Sequence, residues 1–234
     1  MPPASPRREQ HARPGLLSDF ILGSQDGLVN VLGILLGLSA AGATHSIVLI
    51  GALAALGAES VSMGAVAYTS TLARRRVYEA ERQKELDEMR DLPDVEREEV
   101  RTIFRNWGFA GDELEDIVRK IEAKPKAMLE LMMAFELNLA TVSESQPLNS
   151  GLVVLAATVV GSAIPILPFL VPGLSVETSA ITAVVVSGAA LFAIGWYEAL
   201  TTTGSFLRSG LRMLLIGLGA GLAGYLIGLA AHIY

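Results

Sequence analysis

The chain has 234 residues, 51% of them hydrophobic and 18% charged, with a formal net charge of −6 and a mean hydropathy of +0.47. That is too apolar for an ordinary soluble domain. It contains no cysteine, which excludes disulfides and thiolate metal sites and leaves oxygen, imidazole and thioether as the available metal donors. The charge is also unevenly placed: residues 73–145 hold 18 of the 24 acids and 13 of the 18 Lys and Arg.

Residues 1–16 (MPPASPRREQHARPGL) form an expected disordered cytoplasmic tail. The apolar run 17–40 is long enough to cross the roughly 30 Å hydrocarbon core of a bilayer. Arg7, Arg8 and Arg13 precede it as in a signal peptide, but its length, its acid and the lack of a small-residue cleavage pattern mark it as a retained span. That acid, Asp26, sits in GSQDGLVNVLGILLGL (23–38). A charge at the bilayer centre costs about 3 kcal/mol on insertion scales, so an acid there is a functional candidate by default. The competing reading is a helix-packing hydrogen bond to Ser24, Gln25 or Asn30.

The second span, 46–70, carries Glu59 and Met63, four residues apart and so on one helix face. From Tyr68 no Gly or Pro follows until Pro93, which predicts one helix running out of the membrane through the Arg74, Arg75 and Arg76 run. Those arginines are expected to anchor at anionic lipid and fix topology. Further helices are predicted over 94–106, 111–123 (with AGDELED as a capped acidic start) and 125–139. The acids pair along them: Glu85 with Glu88, Glu96 with Glu99, and Met132 with Glu136, each pair on one face. Folding back across Pro93 would gather the first two pairs into an oxygen cluster, whose repulsion a bound cation would relieve. A solvated acidic surface explains the spacing equally well, and Met132 and Met133 serve equally as core filler.

Spans at 150–171, 176–200 and 207–232 complete the chain, giving regions 17–72, 73–145 and 146–234. Pro165, Pro168 and Pro172 should kink or end the third span. With five spans and the amino terminus inside, every Lys and Arg falls on the cytoplasmic side and the carboxyl terminus lies outside. His11, His45 and His232 are not spaced as ligand pairs. Glu198 either faces the route of the ion or reaches water by snorkelling.

DGLVNVLGILLGLSAAGA, GALAALGAESVSMGAVAY, LPDVEREEV and LELMMAFELNL, in this order, resemble the vacuolar iron transporter family in a prokaryotic-type form. The resemblance covers nearly the whole chain from about Asp19 onward. It implies an all-α polytopic membrane protein with five transmembrane helices and a cytoplasmic helical metal-binding domain inserted between helices 2 and 3. It also implies a homodimer and export of Fe2+, with Mn2+ and Co2+ as further substrates, in exchange for protons. Carried residue by residue, the pathway acids and thioether are Asp26, Glu59 and Met63. The domain ligands are Glu85, Glu88, Glu96, Glu99, Met132, Met133 and Glu136, with Glu81 as an additional candidate. Metal and protons compete for the same oxygens, so arriving metal releases protons.

No permanently bound cofactor and no nucleic-acid partner is expected. The location expected is the plasma (inner) membrane. No nucleophile with a base and no phosphate-cradling loop appears, so neither an enzyme nor a nucleotide-driven pump is expected. The alternative is a membrane-tethered metal sensor or scaffold, in which the spans serve only as an anchor.

Overall fold

The computed structural model describes residues 14–201 and 204–232. They form α1 (Pro14–Ala40), α2 (His45–Asp91), α3 (Pro93–Asn106), α4 (Gly111–Glu122), α5 (Pro125–Leu131), α6 (Gln146–Ile166), α7 (Val176–Thr201) and α8 (Phe206–His232), with no strand among the described residues. Helices suit the composition, because a segment in lipid must satisfy its own backbone. Five of them, α1, α2, α6 with its extension to Leu170, α7 and α8, are long and apolar enough to span a membrane. The expected tail lies outside the described residues apart from its last three, which open α1.

The chain divides into two units, one of residues up to Tyr68 and from Leu148, the other of residues 69–147. In the first unit α1 is the hub. A methyl added at Gly161 of α6 would overlap the Ser24 carbonyl oxygen of α1, and one at Gly224 or Gly228 of α8 would overlap the carbonyl oxygens of Gly33 or Gly37. Backbones therefore touch, the arrangement small residues permit where no hydrophobic effect drives helices together. The pairing also sets direction. Gly23 meets Val154 and Gly27 meets Thr158, while Gly33 and Gly37 meet Gly224 and Gly228, so α1, α6 and α8 run parallel. Gly64 of α2 meets Leu155 and Gly151 meets Tyr68, so α2 runs the other way.

Val31, Leu32, Leu35, Val48, Ala52, Phe169 and Ala183 fill the core of this unit. The prolines sit where the third span ends: α6 runs through Pro165 to Ile166 and tightens into a 3-10 turn at Leu167–Leu170. Pro168 cannot donate to a carbonyl four residues back, and the α-helix stops there. His45, at the start of α2, places Nε2 2.6 Å from the Phe169 carbonyl oxygen of that turn.

In the second unit, Val100, Leu114, Val118, Met128 and Met132 form the core. Arg97 grips Glu122, and Arg101 spans from Glu98 to Glu115 at 2.7 Å, tying α3 to α4. α3 ends in a Schellman turn: Phe109 N–H donates to Phe104 O and Gly108 N–H to Arg105 O, with Gly108 at φ +95. The Phe104 and Phe109 rings meet across it, 5.8 Å apart. Two expectations fail locally. α4 starts without a side-chain cap at Ala110, although Asp112 and Glu113 fill its first turn. The helix expected over 125–139 passes into a π-helical turn at Met132–Glu136, where Leu137 N–H reaches back to Met132 O, and leaves helical geometry by Asn138 at φ +52.

The glycine contacts predict a position-specific penalty. Gly161→Ala or Gly224→Ala should destabilise the protein by about 1–3 kcal/mol, the scale of overpacking against a backbone that cannot yield. Gly219→Ala, with nothing within 4 Å of the added carbon, should be nearly neutral. Thermal unfolding in detergent ranks the three.

Candidate functional site

Two clusters of acids stand apart from the surface charge, one in each unit. In the first unit, the carboxyl groups of Asp26 of α1 and Glu59 of α2 lie within hydrogen-bonding reach of each other. The Asn30 side-chain amide also donates to Glu59. Asp26 and Asn30 are one turn apart on α1, so a single face presents both to α2. Met63 lies one turn beyond Glu59 and is half-buried. Ser24, one candidate partner for Asp26, instead turns its hydroxyl back to the Phe20 carbonyl at 2.7 Å. Asp26 and Glu59 are only half-buried and Asn30 is exposed, so this polar stripe lies on the flank of the unit at span depth.

In the second unit the turn at Pro93 folds α3 back against the end of α2. Glu85 of α2 and Glu96 of α3 lose all but 3% and 2% of their exposure. Their carboxyl groups lie within hydrogen-bonding reach of each other, so that one proton can be shared between them. One oxygen of each, Glu85 Oε1 and Glu96 Oε2, is buried without a partner. Burial, then the bond to Glu96, then the charges of Glu96, Glu136 and Glu88, push the Glu85 carboxyl up to about 8. Burial and the charges of Glu99, Glu96 and Glu88 push Glu136 up to about 7. Glu99 is raised by burial and by Glu96 and Glu88. Five carboxyl groups from α2, α3 and the π-helical turn thus lie within one another's field.

They do not form a finished coordination shell: among the described residues no three acidic or imidazole side chains are set to hold one ion. Repulsion explains the spacing, since like charges at short range are relieved by sharing a proton or by a cation. Met132 is fully buried against Val100, Leu114, Val118 and Met128, and Met133 is 2% exposed, so Met132 is part of the domain core. Glu81 pairs loosely with Lys84 at 4.0 Å. Lys84 also lies 3.8 Å from Glu88, and its charge opposes the rise at Glu136.

Other acids received little or no weight from the sequence. Asp19 accepts a hydrogen bond from the Ser150 hydroxyl, joining α1 to α6. Glu198 is bound by Arg212 at 2.9 Å and accepts from the Ser209 hydroxyl at 3.0 Å, pinning α7 to α8. The signal that could have found this pair is an acid and an arginine of opposite sign in two spans otherwise nearly free of charge. Asn30 was legible as the residue one turn after Asp26.

The sequence profile described as the VIT family matches residues 17–229. The chain is 34% identical to "Vacuolar iron transporter 2" of Oryza sativa subsp. japonica over 81% of its own length and 77% of that protein's. It is 31% identical to "Vacuolar iron transporter 1" of Arabidopsis thaliana over 89% and 84%. It is 28% identical to "Vacuolar iron transporter" of Plasmodium falciparum over 91% and 81%. These relatives are named as transporters, not enzymes.

The buried carboxyl pair gives stability a sign with pH. Between the ordinary value of 4.5 and about 8, Glu85 holds more proton in the folded protein than in the unfolded chain. Stability without metal should therefore be full below the lower value, fall as pH rises through that window, and level off above it. Glu85→Gln keeps the hydrogen bond and removes the charge, so it should flatten the slope. Thermal unfolding of metal-free protein from about pH 5 to about pH 9 reads both curves.

Proposed function

The chain belongs to the VIT family, and from that premise we propose that it carries divalent metal, Fe2+ foremost, out of the cytoplasm in exchange for protons. The observation that carries this reading is the contact of Asp26 with Glu59 at the depth of the spans. A helix that only anchors a domain has no use for two carboxyls facing each other in lipid, where ionisable groups are costly. Protons and a divalent ion compete for these oxygens, so binding the metal releases protons and releasing it takes them back. Oxygen donors with the thioether of Met63 suit Fe2+, with Co2+ and Mn2+ as further cargo, better than Ca2+.

The cluster of Glu85, Glu88, Glu96, Glu99 and Glu136 is proposed to collect the ion on the cytoplasmic side. The partnerless oxygens of Glu85 and Glu96 support this role, because a buried acceptor without a partner is costly and a cation would satisfy both. Met133 is proposed to join the set with Met132 and Glu136, which share its π-helical turn; such turns often mark functional positions. The sorting of Lys and Arg supports placing residues 69–147 and the amino terminus inside and the carboxyl terminus outside. We place the transporter in the plasma membrane on the sequence alone, whereas the relatives' names point to the vacuole; in either membrane this orientation moves metal out of the cytoplasm.

A homodimer fits the exposed stripe. Asn30, Asp26 and Glu59 on an open flank would face hydrocarbon in a lone chain, and a second copy laid against that flank would cover them. Beside Asn30 runs a groove of Gly33, Ile34, Gly37, Gly224, Ile227 and Gly228, small enough in its residues for a close helix approach.

Purified protein in vesicles with a trapped pH dye tests the proposal. Fe2+ should drive metal uptake with opposite proton movement. Asp26→Ala should slow both by roughly 10 to 100-fold, the scale seen when groups that tune a metal site are lost. Glu96→Ala with Glu99→Ala should weaken Fe2+ binding by the full chain. Metal binding without any proton movement would make the protein a tethered sensor instead, and transport by Asp26→Ala at the wild-type rate would remove the pathway assignment.

A further inference from the structure

A cavity of the first unit lies away from the polar stripe. It measures about 760 Å3 and is walled by α1 (Leu32, Leu36), α7 (Ile181, Val184) and α8 (Leu218, Leu222). The Asn30 groove takes the other flank of α1 and α8, through Gly33, Gly37, Gly224 and Gly228. A second copy laid on that groove therefore leaves this cavity open to the bilayer.

Its length and polarity are those of one lipid leaflet. From Leu218 to Leu229 of α8 the wall rises about 16 Å at 1.5 Å per residue, against about 15 Å for half of a hydrocarbon core. The walls are apolar along the spans, and the polar groups gather at the end formed by the connections 41–44 and 171–175. There stand Ser39, whose hydroxyl is buried without a protein partner, and the exposed carboxylate of Glu177 in the first turn of α7. The connections at that end contain no Lys or Arg, and no ion pair to Glu177 occurs among the described residues.

We propose that this groove binds one acyl chain of a membrane phospholipid with an ethanolamine headgroup, drawn from the leaflet at that end. The chain lies along Leu32, Leu36, Leu218 and Leu222, where it replaces contact with moving lipid by fixed apolar walls. The headgroup ammonium faces Glu177, and an ester carbonyl accepts from the Ser39 hydroxyl. Choline, whose nitrogen has no hydrogen to donate, fits the carboxylate less well. Bound there, the lipid fills the wedge between α7 and α8 against α1, the helix that carries Asp26.

Full-length protein in vesicles containing phosphatidylethanolamine or phosphatidylcholine with a photoactivatable diazirine in mid-chain tests this, with cross-linked positions mapped by peptide mass spectrometry. Ethanolamine-headed probe should label Ile181, Val184 and Leu222 well above the exposed lipid-facing residues Leu152 and Val160 of α6, and above the choline-headed probe. Leu222→Trp should fill the groove and abolish that labelling while leaving α6 labelling unchanged; Ile181→Trp reads the same effect should the first variant not fold. Glu177→Gln should make the two headgroups equal. Labelling of the groove no stronger than that of α6, or unchanged by either tryptophan, overturns the site, and equal labelling by both probes in the wild type overturns the headgroup assignment.

Discussion

Helix α1 touches α6 and α8 backbone to backbone, and those contacts decide where its one mid-span acid can point. Gly161 lies against the Ser24 carbonyl and Gly224 and Gly228 against those of Gly33 and Gly37, so two sides of α1 have no room for a side chain larger than hydrogen on the facing helix. Asp26 and Asn30 fall on the side that remains, toward α2. The close approaches therefore do more than hold the bundle together. They orient the carboxyl and leave Glu59 as its neighbour.

The two acid clusters solve the same electrostatic problem in different media. In the spans, Asp26 and Glu59 meet with the amide of Asn30 to assist. In the helical unit, Glu85 and Glu96 are buried beneath α3 while Glu88, Glu99 and Glu136 surround them, and the raised values near 7 and 8 follow from burial first and neighbouring charge second. Surface acids of the same unit behave otherwise: Glu98, Glu115 and Glu122 are held low by the arginines of α3. Arginine thus neutralises the acids that join α3 to α4 and leaves the inner five to protons or a cation.

Much of this was legible from the chain, for stateable reasons. Span positions follow from apolar length, and the helices after Pro93 follow from Pro, Gly and acidic first turns, so their bounds differ from expectation by a few residues. Pairings within a helix were also readable, because period alone places Glu59 with Met63. Pairings between helices were harder to read: the scarcity of charge in the last two spans only hints that Glu198 meets Arg212, 14 residues on across a turn, and nothing in the sequence says that Ser150 donates to Asp19. The π-helical turn was hidden too, since MMAFE is made of good helix formers and the widened turn is settled by tertiary packing of Met132 into the core.

The parallel run of α1, α6 and α8 has an evolutionary and an engineering corollary. Because α1 and α8 run parallel, the start of α1 and the end of α8 lie at opposite ends of the helix bundle of the first unit. Splicing two copies head to tail would therefore turn the second upside down, unless the joining segment were itself a sixth span. A tandem gene product with both halves facing alike must have gained such a helix, whereas separate chains each insert the same way with no linker at all.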